Sequence, residues 1–203
     1  MAGIDRLISL SLSSKMKKQM GIDILKKVER ELFLDHGMSV KLAVEHFQKF
    51  STVLKKNSDL DVDKFEKKCI EKIIKVTKID DKYFVTIVDS SLSDLLLESM
   101  GDPETRQIIL SLLENEYIIP KILKESKMPK TSGYRKIENL LLSGILIETG
   151  KILSESKKIS KIQCIFQKIM IDVQKENIII ILSISEKMFE KSTSMKSLIR
   201  DLE

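Results

Sequence analysis

Two cysteines, two histidines, seven glycines and three prolines are all that this 203-residue chain offers to the chemistries that depend on them. Cys69 and Cys164 lie far apart in apolar surroundings and match no zinc spacing, so buried free thiols are expected. His36 and His46 have no Cys, His or carboxylate at a ligand spacing that an ordinary helix surface leaves unexplained, so no metal is expected. Gly3, Gly21, Gly37 and Gly101 stand alone in the sequence and form no phosphate-cradling loop. No G-x-S-x-G nucleophile turn occurs. The chain does not read as an enzyme, and neither a catalytic residue nor a cofactor is expected. The longest apolar run, Ile178 to Leu182, falls far short of the ~18 residues of a membrane helix, and no cleavable signal opens the chain. A cytoplasmic protein without a membrane partner is the expectation.

What is present suits a folded chain: 42% hydrophobic and 32% charged residues can bury one or two cores. Two small domains meeting near Gly101 are expected. In residues 1–100, three helical patterns stand out: Ile24, Leu25, Val28 and Leu32; Val40, Ala43, Val44, Phe47 and Leu54; Phe65, Cys69, Ile73 and Val76. Ser39 and Asp61 are candidate caps, and Asp35-His36-Gly37 and Asn57-Ser58-Asp59 carry turn chemistry. Phe47, Phe50 and Phe65 read more readily as core than as a ligand pocket. Tyr83 to Val88 reads as a strand, and Ser91 to Met100 as a short helix. This half reads as a helical sensory or dimerisation domain with an unknown effector.

Residues 101–203 say more. Asp102-Pro103-Glu104 combines a cap, a proline at the first helical position and an acid at the positive end of the helix dipole. Ile108, Ile109, Leu112 and Leu113 then form one apolar stripe. A second helix is expected from Ile119 to Ser126, with Pro120 in its first turn. Pro129 follows, Thr131 is placed to cap, and a third helix is expected from about Ser132. Gly133, Ile137, Leu140 and Leu141 share its packed face, while Ser132, Arg135, Lys136 and Asn139 point elsewhere. Gly144 supplies a left-handed stop, and the β-branched residues after it open a strand. Three helices followed by strands suggest a winged helix-turn-helix with a recognition helix at 131–143.

Charge follows the same map. Between Tyr117 and Lys161 ten basic residues face four acidic ones, so this segment exceeds the net +5 of the whole chain. Neutralising phosphates is a physical reason for such clustering, and a solvated lysine-rich surface is the plainer alternative. The wing is expected over 150–161, with a polar tip at Ser154 to Ser156 and with Lys151, Lys157, Lys158 and Lys161 beside the sugar-phosphate backbone. Beyond it, IQCIFQKIMIDV and IIIILSI read as strands joined by a turn at Gln174 to Asn177. Ile169, Ile171 and Val173 are expected to bury one sheet face. The tail begins with Ser185 as a cap and places Met188, Ser192, Met195 and Ile199 on one side of a helix, which either dimerises or packs on the wing.

ETRQIIL followed by IPKILKESKMPKTSGYRKIENLLLSGIL resembles the archaeal winged-helix transcriptional regulators of the ArsR-like type, over about Gly101 to Ile184. The resemblance implies that Thr131, Ser132, Tyr134, Arg135 and Lys136 lie at or near the major groove and that the wing contacts phosphate. Gly133 departs from the buried valine or alanine usual at that position. The whole chain, including HGMSVKLAVEHFQKF, also resembles the Nitrosopumilus output domain proteins of ammonia-oxidising archaea. The expectation is an α+β, mostly helical protein with a helical N-terminal domain, a winged helix-turn-helix, a hairpin wing and a C-terminal helix. Its expected function is sequence-specific binding of double-stranded DNA in transcription regulation, as a homodimer. Lys130, Thr131, Ser132, Tyr134, Arg135, Lys136 and Asn139 would meet the major groove, with Arg135 the best reader of a guanine edge. A winged-helix module that binds a protein is the alternative, favoured by the carboxylate of Glu138 on the same helix.

Overall fold

The structure is a computed structural model that describes residues 3–45, 47–80, 82–154, 157–192, 194–195 and 198. Five helices come first: α1 (Gly3–Met20), α2 (Ile22–His36), α3 (Val40–Glu45), α4 (Phe47–Asn57) and α5 (Val62–Glu71). A hairpin of β1 (Ile74–Ile79) and β2 (Lys82–Ile87) leads to α6 (Ser90–Gly101) and α7 (Pro103–Leu112). Next come β3 (Glu116–Ile118), α8 (Ile119–Glu125), α9 (Lys130–Ser143), β4 (Leu146–Ser154) and β5 (Lys157–Cys164). The chain ends through β6 (Lys168–Val173), β7 (Ile178–Ser185) and the short α10 (Glu186–Glu190). The class is α+β, as expected.

Helix α1 has no counterpart among the three helical patterns of the sequence. It is buried on nearly every side, through Ile4, Leu7, Ile8, Leu12, Met16 and Met20 and also through Asp5, Ser9, Ser11 and Ser13. Ile4, Leu7, Ile8, Leu12, Met16 and Met20 do recur at helical spacing, but buried Asp5, Ser9 and Ser13 and exposed Leu10 blur the contrast between the two faces. The serines inside it are satisfied locally: Ser9 Oγ donates to the Arg6 carbonyl at 2.8 Å and Ser13 Oγ to that of Leu10 at 3.0 Å. The other helices follow their signals more closely. Ser39 Oγ accepts from the Leu42 N–H at 3.3 Å, and Asp61 accepts from that of Lys64 at 3.2 Å. The third pattern overran its helix. Helix α5 stops at Glu71 and Ile74 opens β1, because Ile73, Ile74 and Val76 satisfy a strand as well as a helix. Phe50 and Phe65 are core residues, Cys69 and Cys164 are buried free thiols, and His46 lies outside the described residues.

Two antiparallel sheets form, one ordered β1-β2-β7-β6 and the other β3-β5-β4. In the larger sheet β2 pairs with β7, with Val85 opposite Leu182 and Tyr83 opposite Ile184. The division expected near Gly101 therefore runs across a hydrogen-bonded sheet. IQCIFQKIMIDV is not one strand. At Ile165-Phe166-Gln167 the chain leaves the smaller sheet and joins the larger one, with the Ile165 N–H donating to the Ile145 carbonyl and that of Gln167 to Ser183. The turn from Gln174 to Asn177 forms as expected, closed by a bond of 2.8 Å from the Gln174 N–H to the Asn177 carbonyl. Ile169 is half-buried, but Ile171 and Val173 are exposed, contrary to the expected buried face, because β6 is an edge strand.

The described part of the tail packs on α1 and β2, not on the wing as one of its two expected routes had it. Phe189 stacks on Tyr83 of β2 with ring centroids 3.9 Å apart, and Asp5 of α1 accepts from Ser192 Oγ and from the Ser194 N–H. Ser192 and Met195 are buried, while Ile199 lies outside the described residues. Ser185 sits at the α10 N-cap without a side-chain bond. Near this anchor lies Glu66 of α5, 3% exposed; burial, with Asp5 and Asp63 adding to it, pushes its carboxyl up to about 9. Residues from both ends of the chain thus share one core.

Candidate nucleic-acid interface

The cationic segment folds locally. Asp102 caps α7, accepting from the Thr105 N–H at 3.0 Å, with Pro103 in the first turn. Helix α8 starts at Ile119 with Pro120 in its first turn and ends at Glu125, and the hydroxyl of its C-cap Ser126 donates to the Ile122 carbonyl at 2.7 Å. The turn to α9 has Lys127 at φ 54° and a bond of 2.8 Å from the Met128 N–H to the Leu123 carbonyl. Helix α9 begins at Lys130, not Ser132. Pro129 occupies its N-cap position without a side-chain bond, and Thr131 is an exposed residue of the first turn.

Two glycines set how closely α9 is held. A Cβ on Gly133 would lie 2.2 Å from Leu123 Cδ2 and 3.3 Å from Met128 Cβ, so the missing methyl lets α8 and α9 meet. Gly144 ends α9 at φ 81°, and a Cβ there would come within 2.6 Å of the Leu7 amide nitrogen and 2.7 Å of the Gly3 carbonyl. Arg6 Nη1 donates to the Leu141 carbonyl at 3.0 Å, placing a cation at the negative end of the helix dipole. The end of α9 thus rests on α1.

Gly133, Ile137 and Leu140 face the core, and Thr131, Tyr134, Arg135, Glu138, Asn139 and Leu142 are exposed. Thr131, Arg135, Glu138 and Leu142 follow one stripe at spacings of four, three and four residues. Lys130 is exposed at its start and Ser132 is half-buried. Arg135 and Asn139 also border a cleft of about 480 Å³ floored by Leu95 and Leu140, with Glu98 and Asp102 on its rim.

Two expected contacts with nucleic acid are paired with carboxylates of the same chain. The Lys136 ammonium is paired with Asp102 and lies 3.4 Å from Glu104, and its side chain keeps 19% exposure. The Lys136 ammonium, with the Thr105 hydroxyl and N–H, holds the Asp102 carboxyl well below the usual carboxylate range, and the pair raises the Lys136 ammonium above its ordinary value. Helical periodicity put Lys136 outside the apolar stripe, which it is. An acid 34 positions earlier has no periodic relation to it and was not legible. Lys161 Nζ donates to Glu116 of β3 at 3.2 Å, and Thr149 binds the same carboxylate. The Thr149 hydroxyl first and then Lys161 lower the Glu116 carboxyl.

The wing forms from β4 and β5, with Lys151 opposite Ser160 and Leu153 opposite Lys158. Opposed residues share a sheet face, so exposed Lys151 and Lys158 lie on one face with Leu153, and Lys161, opposite Gly150, lies on the other. Lys157 pairs with Ser154 in register, but its side chain and residues 155–156 lie outside those described. Nearby, Lys121 Nζ stands 3.9 Å from the centre of the Tyr117 ring. Among the described residues there is no group of three or more His, Cys, Asp or Glu side chains placed to hold a metal. No helix among them is long and apolar enough to cross a membrane. No protein-family model matches the chain, and neither a curated protein nor a solved structure matches it.

Proposed function

We propose that this chain binds double-stranded DNA sequence-specifically as a transcription regulator, and that α7-β3-α8-α9-β4-β5 is a winged helix-turn-helix. The order helix, short strand, two helices and a β-ribbon supports the fold reading, because α9 is held on a scaffold with one side turned to solvent. The observation that carries the function is the exposed first half of α9, where Lys130, Thr131, Tyr134 and Arg135 follow one another with no carboxylate among them. Arg135 reads a base edge, a contact typically worth about 1–3 kcal/mol. Lys130, Lys151 and Lys158 meet phosphates. Lys136 leaves the contact set and acts as an internal strut, while Lys161 is held at the surface beside Glu116 on the opposite face of the wing from Lys151 and Lys158.

The test is duplex affinity as a function of salt. Each phosphate-binding lysine lost, in Lys151→Ala or Lys158→Ala, lowers the salt slope by about 0.9. Arg135→Ala weakens the preferred sequence more than random duplex. An unchanged slope in all three variants would overturn the assignment. A second reading, a winged helix that binds protein, draws on Glu138 and on Leu142, 67% exposed, which occupy the later half of the same stripe. Elution from duplex DNA at low salt would favour it.

A further inference from the structure

We infer that two copies of this chain associate by antiparallel pairing of their β6 edges, in the register that puts Met170 on the two-fold axis. β6 is the outer strand of the order β1-β2-β7-β6, and it runs from Lys168 to Val173 in unbroken register with β7. Gln174 and Asn177 exchange both backbone bonds. Alternation then turns Asp172, Met170 and Lys168 toward β7 and leaves the N–H and C=O groups of Ile169, Ile171 and Val173 on the open edge. An open row of such groups on an apolar strand is a template for another strand.

The sequence of β6 says which strand. Opposed residues in an antiparallel pair share a face, so a two-fold axis must pass through a residue position. With the axis at Met170, Lys168 of each copy faces Asp172 of its partner, and Ile169 of each faces the partner's Ile171. Both charged side chains are exposed and of opposite sign, so the strand is complementary to itself twice over. Moving the axis to Ile171 would set Met170 against the partner's Asp172 and leave Lys168 beyond the last ionic partner. The other free edges lack this property. β1 carries Lys75 and Lys78 with no acid inside the strand. β3 has three residues, and the register of β4 shifts between Glu148 and Gly150. Pairing at β6 yields an eight-stranded sheet and covers Ile171 and Val173, the latter 71% exposed.

The inference stands apart from DNA binding and is tested on the full chain by sedimentation over a wide range of concentration. The wild-type chain is expected to form a dimer that dissociates on dilution. Lys168→Asp alone, or Asp172→Lys alone, sets like charges opposite each other twice and weakens association about tenfold or more. An equal mixture of these two variants restores it, since each then meets its complement, and a chain carrying both substitutions dimerises like the wild type. A wild-type chain that stays monomeric at every concentration would overturn the inference. Single variants that associate as tightly as the wild type, or a mixture and a double variant no tighter than the singles, would do the same. The mass readout needs no duplex, so failure of the DNA reading leaves this result intact.

Discussion

The two sheets are built on opposite plans. The smaller one, β3-β5-β4, draws its strands from Glu116 to Cys164, and two of the helices it packs with, α8 and α9, fall inside that span. The larger one joins β1 and β2 to β7 and β6 across some ninety residues, and α10 closes on it from the far end of the chain, with Phe189 stacked on Tyr83 of β2. Local elements leave local signals, such as Asp102-Pro103 at a helix start and Gly144 at a helix end. Elements that meet across the chain leave few, because each is selected for partners elsewhere in the sequence. The exposed surface proposed to meet DNA belongs to the local unit, and the surface proposed for self-association belongs to the long-range one.

The largest expected effect lies where the two plans touch. Gly144→Ala combines a residue forced to positive φ with a methyl pressed on the α1 backbone, and should cost about 3 kcal/mol in urea unfolding. A cost below about 1 kcal/mol, no more than the left-handed conformation alone costs an L-residue, would mean that α1 does not seat on α9 as described.

Next comes Glu66→Gln. The folded-state value near 9 lies above the ordinary carboxylate value near 4.3, so between them the folded protein holds a proton that the unfolded chain releases. Stability therefore falls as pH rises through this window. The glutamine variant should be more stable at neutral pH by about 2 kcal/mol, with the slope between pH 5 and 8 flattened. Parallel pH curves for the two proteins would show that Glu66 is paired rather than stranded.

Arg6→Ala removes the bond that ties α1 to the Leu141 carbonyl and should cost about 1 kcal/mol. Amide exchange should quicken first at Gly144 and Ile145. Exchange that rises uniformly would break the picture of a specific strut between the two units.

The smallest effect is that of Asp102→Asn, which probes the local unit alone. The Asp102 carboxyl is depressed in the folded state by Lys136 and Thr105, so its contribution is fully present above the ordinary carboxylate value near 3.9 and is lost as pH falls below it. The asparagine variant should lose stability at neutral pH and converge on the wild type in acid. This sign is opposite to that of Glu66. Its salt slope on duplex DNA should also rise, because Lys136 is released toward phosphate.

Read from the chain alone, α7, α8 and α9 were legible nearly to the residue, as were the left-handed stop at Gly144 and the turn at Gln174 to Asn177. The exposed side of α9 was legible too, since Arg135 and Asn139 fall off the stripe of Ile137 and Leu140. The pairing of Lys136 with Asp102, the loss of Lys161 to Glu116 and the separation of Lys151 and Lys158 from Lys161 were not. A lysine announces its charge but not its partner, and the partner is chosen by which surfaces packing brings together. Helix α1 escaped because buried Asp5, Ser9, Ser11 and Ser13 and exposed Leu10 blur its apolar stripe, and β1 because a short apolar run suits helix and strand alike.

By itself the sequence determined the helix starts and stops, the turn chemistry and the concentration of positive charge between Tyr117 and Lys161, since each depends on residues within one or two turns of chain. Only the tertiary structure decided that the two halves of the chain share a sheet, which cations remain exposed, and that β6 is left with an open edge. Those outcomes follow from contacts between residues far apart in sequence, and no local pattern encodes which distant surface a side chain will meet.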